Sequence, residues 1–153
     1  MKNRLPYLYF IMAIAPFEAL VGLSLQTIGS IIAYNLILAV IPLLISYSYY
    51  VIGSEKSRRT SIIILSLAIV KIASMTLFNV PMIIDAVIDG TLILAVVAAV
   101  NYLWPGKQST VAVLLGVLGV GLVTLKIGAI TIIGGLILES ASLILAGAVA
   151  TPE

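Results

Sequence analysis

Ile28-Gly-Ser-Ile-Ile-Ala-Tyr-Asn-Leu-Ile-Leu-Ala-Val-Ile-Pro-Leu-Leu-Ile-Ser-Tyr-Ser-Tyr-Tyr-Val51 runs without a single Asp, Glu, Lys or Arg. A helix crossing the hydrocarbon core of a bilayer needs about 20 mostly apolar residues. This stretch satisfies that length, with Asn35 and Pro42 as its interruptions.

The pattern continues on both sides. Upstream, an apolar segment from Leu5 to Leu25 follows Lys2 and Arg4 and contains Pro16 and Glu18. A signal peptide combines a short apolar core with a small-residue cleavage site; this segment runs on to Leu25 and is expected to be a retained span. Downstream, the densely charged Ser54–Ser61 reads as a loop. Further spans are predicted over Ile62–Val80, Met82–Trp104 and Thr110–Leu125, and from the reversal Lys126-Ile-Gly128 to Val149, with Pro105-Gly-Lys-Gln108 as a turn. The predicted fold is all-α: a polytopic transmembrane bundle of about six spans in a single domain, residues 1–153. No inverted repeat relates its halves.

Composition supports this and narrows the chemistry. The chain is 62% hydrophobic and 9% charged, whereas soluble domains carry roughly 25% charged residues. A net charge of +2 is too weak and scattered for nucleic-acid binding. Cys and His are both absent, which excludes thiolate metal sites, Fe–S clusters, His-ligated haem and Ser–His–Asp or Cys–His catalysis within this chain. No metal or cofactor is expected.

With six spans, Lys2, Arg4, Lys56, Arg58, Arg59 and Lys107 fall on one side and Lys126 on the other. Cytoplasmic loops carry the excess of Lys and Arg, so both termini are expected in the cytoplasm of a cell-membrane protein. Tyr7, Tyr9, Phe10, Tyr47, Tyr49, Tyr50, Tyr102 and Trp104 lie at that same interface, where amphipathic rings favour the headgroup level. Ala112, Gly116, Gly119, Gly121, Gly134, Gly135 and Gly147 read as helix-packing positions, since small residues let backbones approach closely in lipid. The glycines of the fifth span have the wrong order for a nucleotide loop, and no strand precedes them.

The charges inside the spans carry the functional reading. A charged side chain at the bilayer centre costs about 2.5–3.5 kcal/mol on insertion scales. Lys71 and Glu139 each lie about ten residues into their predicted spans, roughly 15 Å deep, so they share a height and are expected to meet directly or through water. Such a pair is either a structural ion pair or a proton or cation relay, because withdrawal from water penalises the charged form of each group. Glu18, just after Pro16, is a third candidate. Asp85 and Asp89 share a helical face and read first as a solvated helix start. Asn35 reads as an interhelical hydrogen bond.

Gly134-Gly-Leu-Ile-Leu-Glu139-Ser-Ala-Ser-Leu-Ile-Leu-Ala-Gly147 resembles the acidic helix of the K-type subunit of complex I. It is still more similar to component E of hydrogenase-4 type membrane-bound hydrogenases. Leu114-Leu-Gly116, Ala150-Thr-Pro-Glu153, Leu23-Ser-Leu-Gln26-Thr-Ile and Ile69-Val-Lys71 with the later Pro81 also resemble component E. The resemblance implies a non-redox membrane subunit beside antiporter-like subunits, helping to carry protons or sodium ions, with Glu139 as the intramembrane glutamate. Ser140 stands where the family has Asn, and the interval from Lys71 to Pro81 is longer than the family's. The family continues with another acidic helix, so the relay would draw its next acid from a neighbouring subunit. The resemblance places the Lys126 loop in the cytoplasm, whereas the loop charges place it outside. Two further readings stand beside this one: a stand-alone small transporter or substrate-binding membrane component, lined by Gln26, Asn35, Asn79 and the charges above, and a structural subunit of a terminal oxidase-like assembly. An enzyme is the least supported.

Overall fold

The computed structural model describes residues 4–25, 27–76, 80–125 and 127–150. Lys2, Gln26, Asn79, Lys126 and the tail after Ala150, all invoked above, lie outside the described residues.

The described chain folds into helices α1 (Leu5–Met12), α2 (Ile14–Leu25), α3 (Ile28–Ile52), α4 (Glu55–Thr76), α5 (Met82–Leu103), α6 (Lys107–Leu125) and α7 (Ala129–Val149), with no strand among the described residues. Helices α1 and α2 together make the first of six spans long and apolar enough to cross a membrane. The protein is a multi-pass helical membrane protein. Its outer surface is hydrocarbon, as lipid permits: Ile28 is 75% exposed and Ile130 is 86% exposed.

Short connections make consecutive spans antiparallel. Each span packs on the next, and α7 returns to α1 and α2, closing a ring; α5 crosses it to touch α3 and α7. Arg4, Lys56, Arg58, Arg59 and Lys107 gather at one end, called here the basic end. The far end holds the junctions α2–α3, α4–α5 and α6–α7.

The break between α1 and α2 follows from Pro16. Proline has no N–H, and its ring clashes with the carbonyl four residues back, which here is that of Met12, the last residue of α1. Pro42 lies inside α3 without interrupting it.

One boundary differs from the sequence reading. The charged stretch Ser54–Ser61 is not a loop; α4 begins at Glu55. Gly53 closes α3 at φ +83, a left-handed conformation that glycine adopts without penalty. The Ser57 N–H then donates to Ser54 Oγ at 3.1 Å, capping α4. Arg59 pairs with Glu55 one turn away at 2.7 Å. Propensity and capping outweigh charge density here.

The aromatic expectation splits by helix face. Tyr7, Phe10, Tyr47, Tyr50 and Tyr102 are exposed, while Tyr9 and Tyr49 turn inward and are fully buried. The Tyr9 hydroxyl donates to the Val96 carbonyl, and the Tyr49 hydroxyl lies 2.7 Å from it. Buried hydroxyls need such partners. Around them Leu5, Met12, Leu38, Ile45, Val96 and Leu143 form the packed core of the basic half.

Interhelical hydrogen bonds hold the ring where the hydrophobic effect gives no help. Ser46 Oγ donates to the Ser61 carbonyl at 2.7 Å, and Ser61 Oγ donates to the Ser46 carbonyl at 2.8 Å. Ser142 Oγ donates to the Ala112 carbonyl at 2.7 Å. The α6–α7 contact is a close backbone approach. A Cβ on Gly119 would stand 2.7 Å from the Gly135 carbonyl oxygen, and one on Gly135 would stand 2.7 Å from that of Gly119. Gly121 and Gly134, read with them as packing positions, face open space instead.

Candidate functional site

The centre of the basic half is packed around Tyr9 and Tyr49, with a groove of about 290 Å³ left between α4 and α5 beside Arg59 and Tyr102; the far half opens among five helices. A cavity of about 310 Å³ is lined there by residues of α2, α3, α5, α6 and α7. Its wall residues Leu23, Asp85, Thr124 and Ile132 lie within a turn or so of the far end, whereas Glu139 lies at the middle of α7. About ten residues of helix separate the start of α7 from Glu139, so the cavity reaches roughly 15 Å inward, near the midplane of a core about 30 Å thick.

Lys71 is 2% exposed and does not pair with Glu139 as expected. Its Nζ lies 2.6 Å from Asp89 Oδ1 and donates to Asn35 Oδ1 at 2.8 Å. The Tyr34 hydroxyl donates to Asp89 Oδ2 at 3.0 Å, and the Lys71 ammonium stands 5.8 Å from the centroid of the Tyr34 ring. Asn35 Nδ2 donates to the Ile31 carbonyl at 3.1 Å, which turns its oxygen toward Lys71. The cluster joins α3, α4 and α5. The shared height expected for Lys71 and Glu139 does not hold: α4 begins earlier than expected and ends at Thr76, so Lys71 lies five residues from the far end and Glu139 ten. Which neighbour a lysine meets depends further on how each helix is rotated in the ring.

Asp89 is therefore not part of a solvated helix start; it is 8% exposed and holds a buried counter-charge. Asp85, one turn nearer the far end, is half-buried and lines the cavity. It also lines a second recess, of about 380 Å³, with Lys71, Asn35 and Ser74. The Lys71–Asp89 pair thus stands between two hollows.

Glu139 is 3% exposed and faces the main cavity, with no hydrogen-bond or ion-pair partner among the described residues. Its placement is fixed by the α6–α7 contact, since a Cβ on Gly119 would lie 2.8 Å from the Glu139 backbone nitrogen. The next residue, Ser140, donates its hydroxyl to the Ala13 carbonyl at 2.8 Å, tying this point of α7 to the break in the first span. Glu18 is not brought to the cavity. It lines a separate recess with Phe10, Ala13, Phe17 and Ser140.

Tyr34 was missed in the sequence. The available signal was its position: it lies beside Asn35, well inside its span and away from the interfacial aromatics, where a buried hydroxyl requires a partner. Among the described residues no three His, Cys, Asp or Glu side chains converge to hold a metal ion.

No protein-family profile, curated protein or solved structure matches the chain.

Proposed function

We propose that the protein is a non-redox integral membrane subunit that helps carry protons or sodium ions across the cell membrane within a larger assembly. The observation that supports this most directly is Glu139: a carboxylate without a partner among the described residues, placed near mid-membrane, facing a cavity that extends to one end of the bundle. Ionisable groups at such depth are costly, and they mark ion pathways and proton relays. In this reading Asp85 receives the ion near the cavity mouth and Glu139 holds it at the midplane. Lys71, Asp89, Asn35 and Tyr34 form an adjacent charge-balanced group whose field acts on both acids. The basic end lies in the cytoplasm by its Lys and Arg content, so the cavity opens away from it.

The partner class comes from the resemblance of the Glu139 helix to component E of hydrogenase-4 type hydrogenases: antiporter-like membrane subunits. The test is purification in mild detergent with identification of copurifying subunits, then ion-pumping assays on the complex reconstituted with Glu139→Gln. Loss of most pumping with an intact complex is expected. Unchanged pumping would leave Glu139 a structural residue. The size of the cavity favours one other reading, a membrane component that binds a small solute.

A further inference from the structure

We infer that the cavity in front of Glu139 is a binding site for a small amphipathic organic cation. The inference is independent of the relay, because it requires only that the isolated chain hold such a ligand.

The argument starts from charge. Three carboxylates, Asp85, Asp89 and Glu139, line the cavity, and no Lys or Arg does so among the described residues. Lys71 approaches Asp89 from α4 and balances it at 2.6 Å. The Asp89 and Glu139 carboxylates are thus inequivalent: one has a cation in contact, and the other, 3% exposed, has no partner among the described residues. Walls of one sign and low dielectric concentrate the opposite charge, so the ligand is a cation.

Its chemical class follows from the rest of the wall. An alkali ion gives up its hydration shell only where several oxygens replace it. Here Asp89, Asn35 and Tyr34 are already engaged with Lys71 or with one another. Asp85 and Thr124 add side-chain oxygens near the cavity mouth rather than at the depth of Glu139, and the remaining lining is dominated by side chains such as Ile31, Val120, Val123 and Leu136. An organic cation brings apolar surface of its own to match those walls and needs a single counter-charge. The volume, about 310 Å³, falls at the small end of the range of roughly 300–1,000 Å³ typical of small-molecule pockets. The cationic head lies against the Glu139 carboxylate, and the apolar body lies between α6 and α7 on one side and α3 on the other.

The probe is benzyltrimethylammonium, which has a fixed charge and no proton to exchange, measured by equilibrium dialysis against the full chain purified in detergent. The expected result is saturable binding at one site per chain. Glu139→Gln should weaken it at least tenfold, and Glu18→Gln, in the separate recess, should leave it unchanged. Ala86→Phe, which fills the cavity without altering a charge, should abolish it and keeps the inference testable if Glu139→Gln fails to fold. Absence of saturable binding would overturn the inference, as would equal affinity in Glu139→Gln or equal affinity for the neutral isostere neopentylbenzene. Displacement by sodium but not by potassium at equal ionic strength would mark an inorganic-ion site instead and would also overturn it. Neither ion pumping nor a partner subunit enters this assay, so its failure leaves the relay proposal standing. Normal pumping by Glu139→Gln would remove the relay without bearing on binding.

Discussion

The Lys71 ammonium lies 2.6 Å from the Asp89 carboxylate, and both side chains are largely withdrawn from solvent. Removing one partner of a buried pair leaves the other charge uncompensated, which costs about 3–5 kcal/mol, whereas replacing both by apolar groups is far milder. Lys71→Met and Asp89→Leu are each expected to destabilise the protein on that scale, and the double variant by much less than the sum. Unfolding in mixed detergent micelles measures this. Strict additivity would show that the two residues do not interact. Lys71→Met and Glu139→Gln should couple more weakly than Lys71→Met and Asp89→Leu.

Two glycines of α6 are expected to respond with opposite signs. Gly119→Ala places a Cβ 2.7 Å from a backbone oxygen, and such overpacking costs about 1–3 kcal/mol. Gly121 faces open space, so Gly121→Ala should stabilise α6 by about 0.5–1 kcal/mol, the helix penalty of glycine. Equal effects of the two substitutions would contradict the close α6–α7 approach.

The cavity of the far half can be mapped with thiol chemistry, because the sequence contains no cysteine and single-cysteine variants have no background. Thr124→Cys and Leu136→Cys, on the cavity wall, should react with a cationic methanethiosulfonate. Leu143→Cys, in the packed core, should not. The cationic reagent should outpace an anionic one by several-fold at Thr124→Cys, given the acidic wall. Equal rates for the two reagents would argue against a field from Asp85 and Glu139.

Orientation has a direct test. Ser54→Cys and Gly106→Cys lie at the basic end and Gly128→Cys at the far end. An impermeant maleimide applied to intact cells should label Gly128→Cys and spare the other two, with the reverse in inverted vesicles. The opposite pattern would favour the orientation implied by the hydrogenase resemblance over that implied by the loop charges.

The helices were legible because the evidence for them is compositional: long apolar runs broken by Pro, Gly and charge. The way their faces turn was not. Helices apolar all round carry almost no pattern to say which side meets a neighbour, so rotation was not readable, and height was misjudged where a span boundary was: α4 ends at Thr76, which sets Lys71 five residues from the far end while Glu139 lies ten residues into α7. That is why Lys71 could be singled out while its partner Asp89 was read as part of a solvated helix start. The same limit hid the division of Tyr47, Tyr49 and Tyr50 between lipid and core, and the placement of Glu18 away from Glu139. The start of α4 was missed for a different reason. Ser54 and Glu55 are good helix openers, but the basic residues after them suggested a loop. Asn35, Asp85, Asp89, Lys71 and Glu139 were all singled out in the sequence; the clustering of Lys71, Asp89 and Asn35 beside Tyr34, apart from Glu139, required tertiary packing.

The Tyr9–Tyr49 hydroxyl pair, with the apolar layer that surrounds it, closes the basic half of the ring. A solute that travels from the far end as far as Glu139 therefore arrives in a half-channel and meets a plug where an exit would have to be. Net transport through this chain would demand that the plug shift, with the Ser140-tethered break at Ala13 as its nearest hinge, or that the second leg of the route be supplied by an adjoining polypeptide.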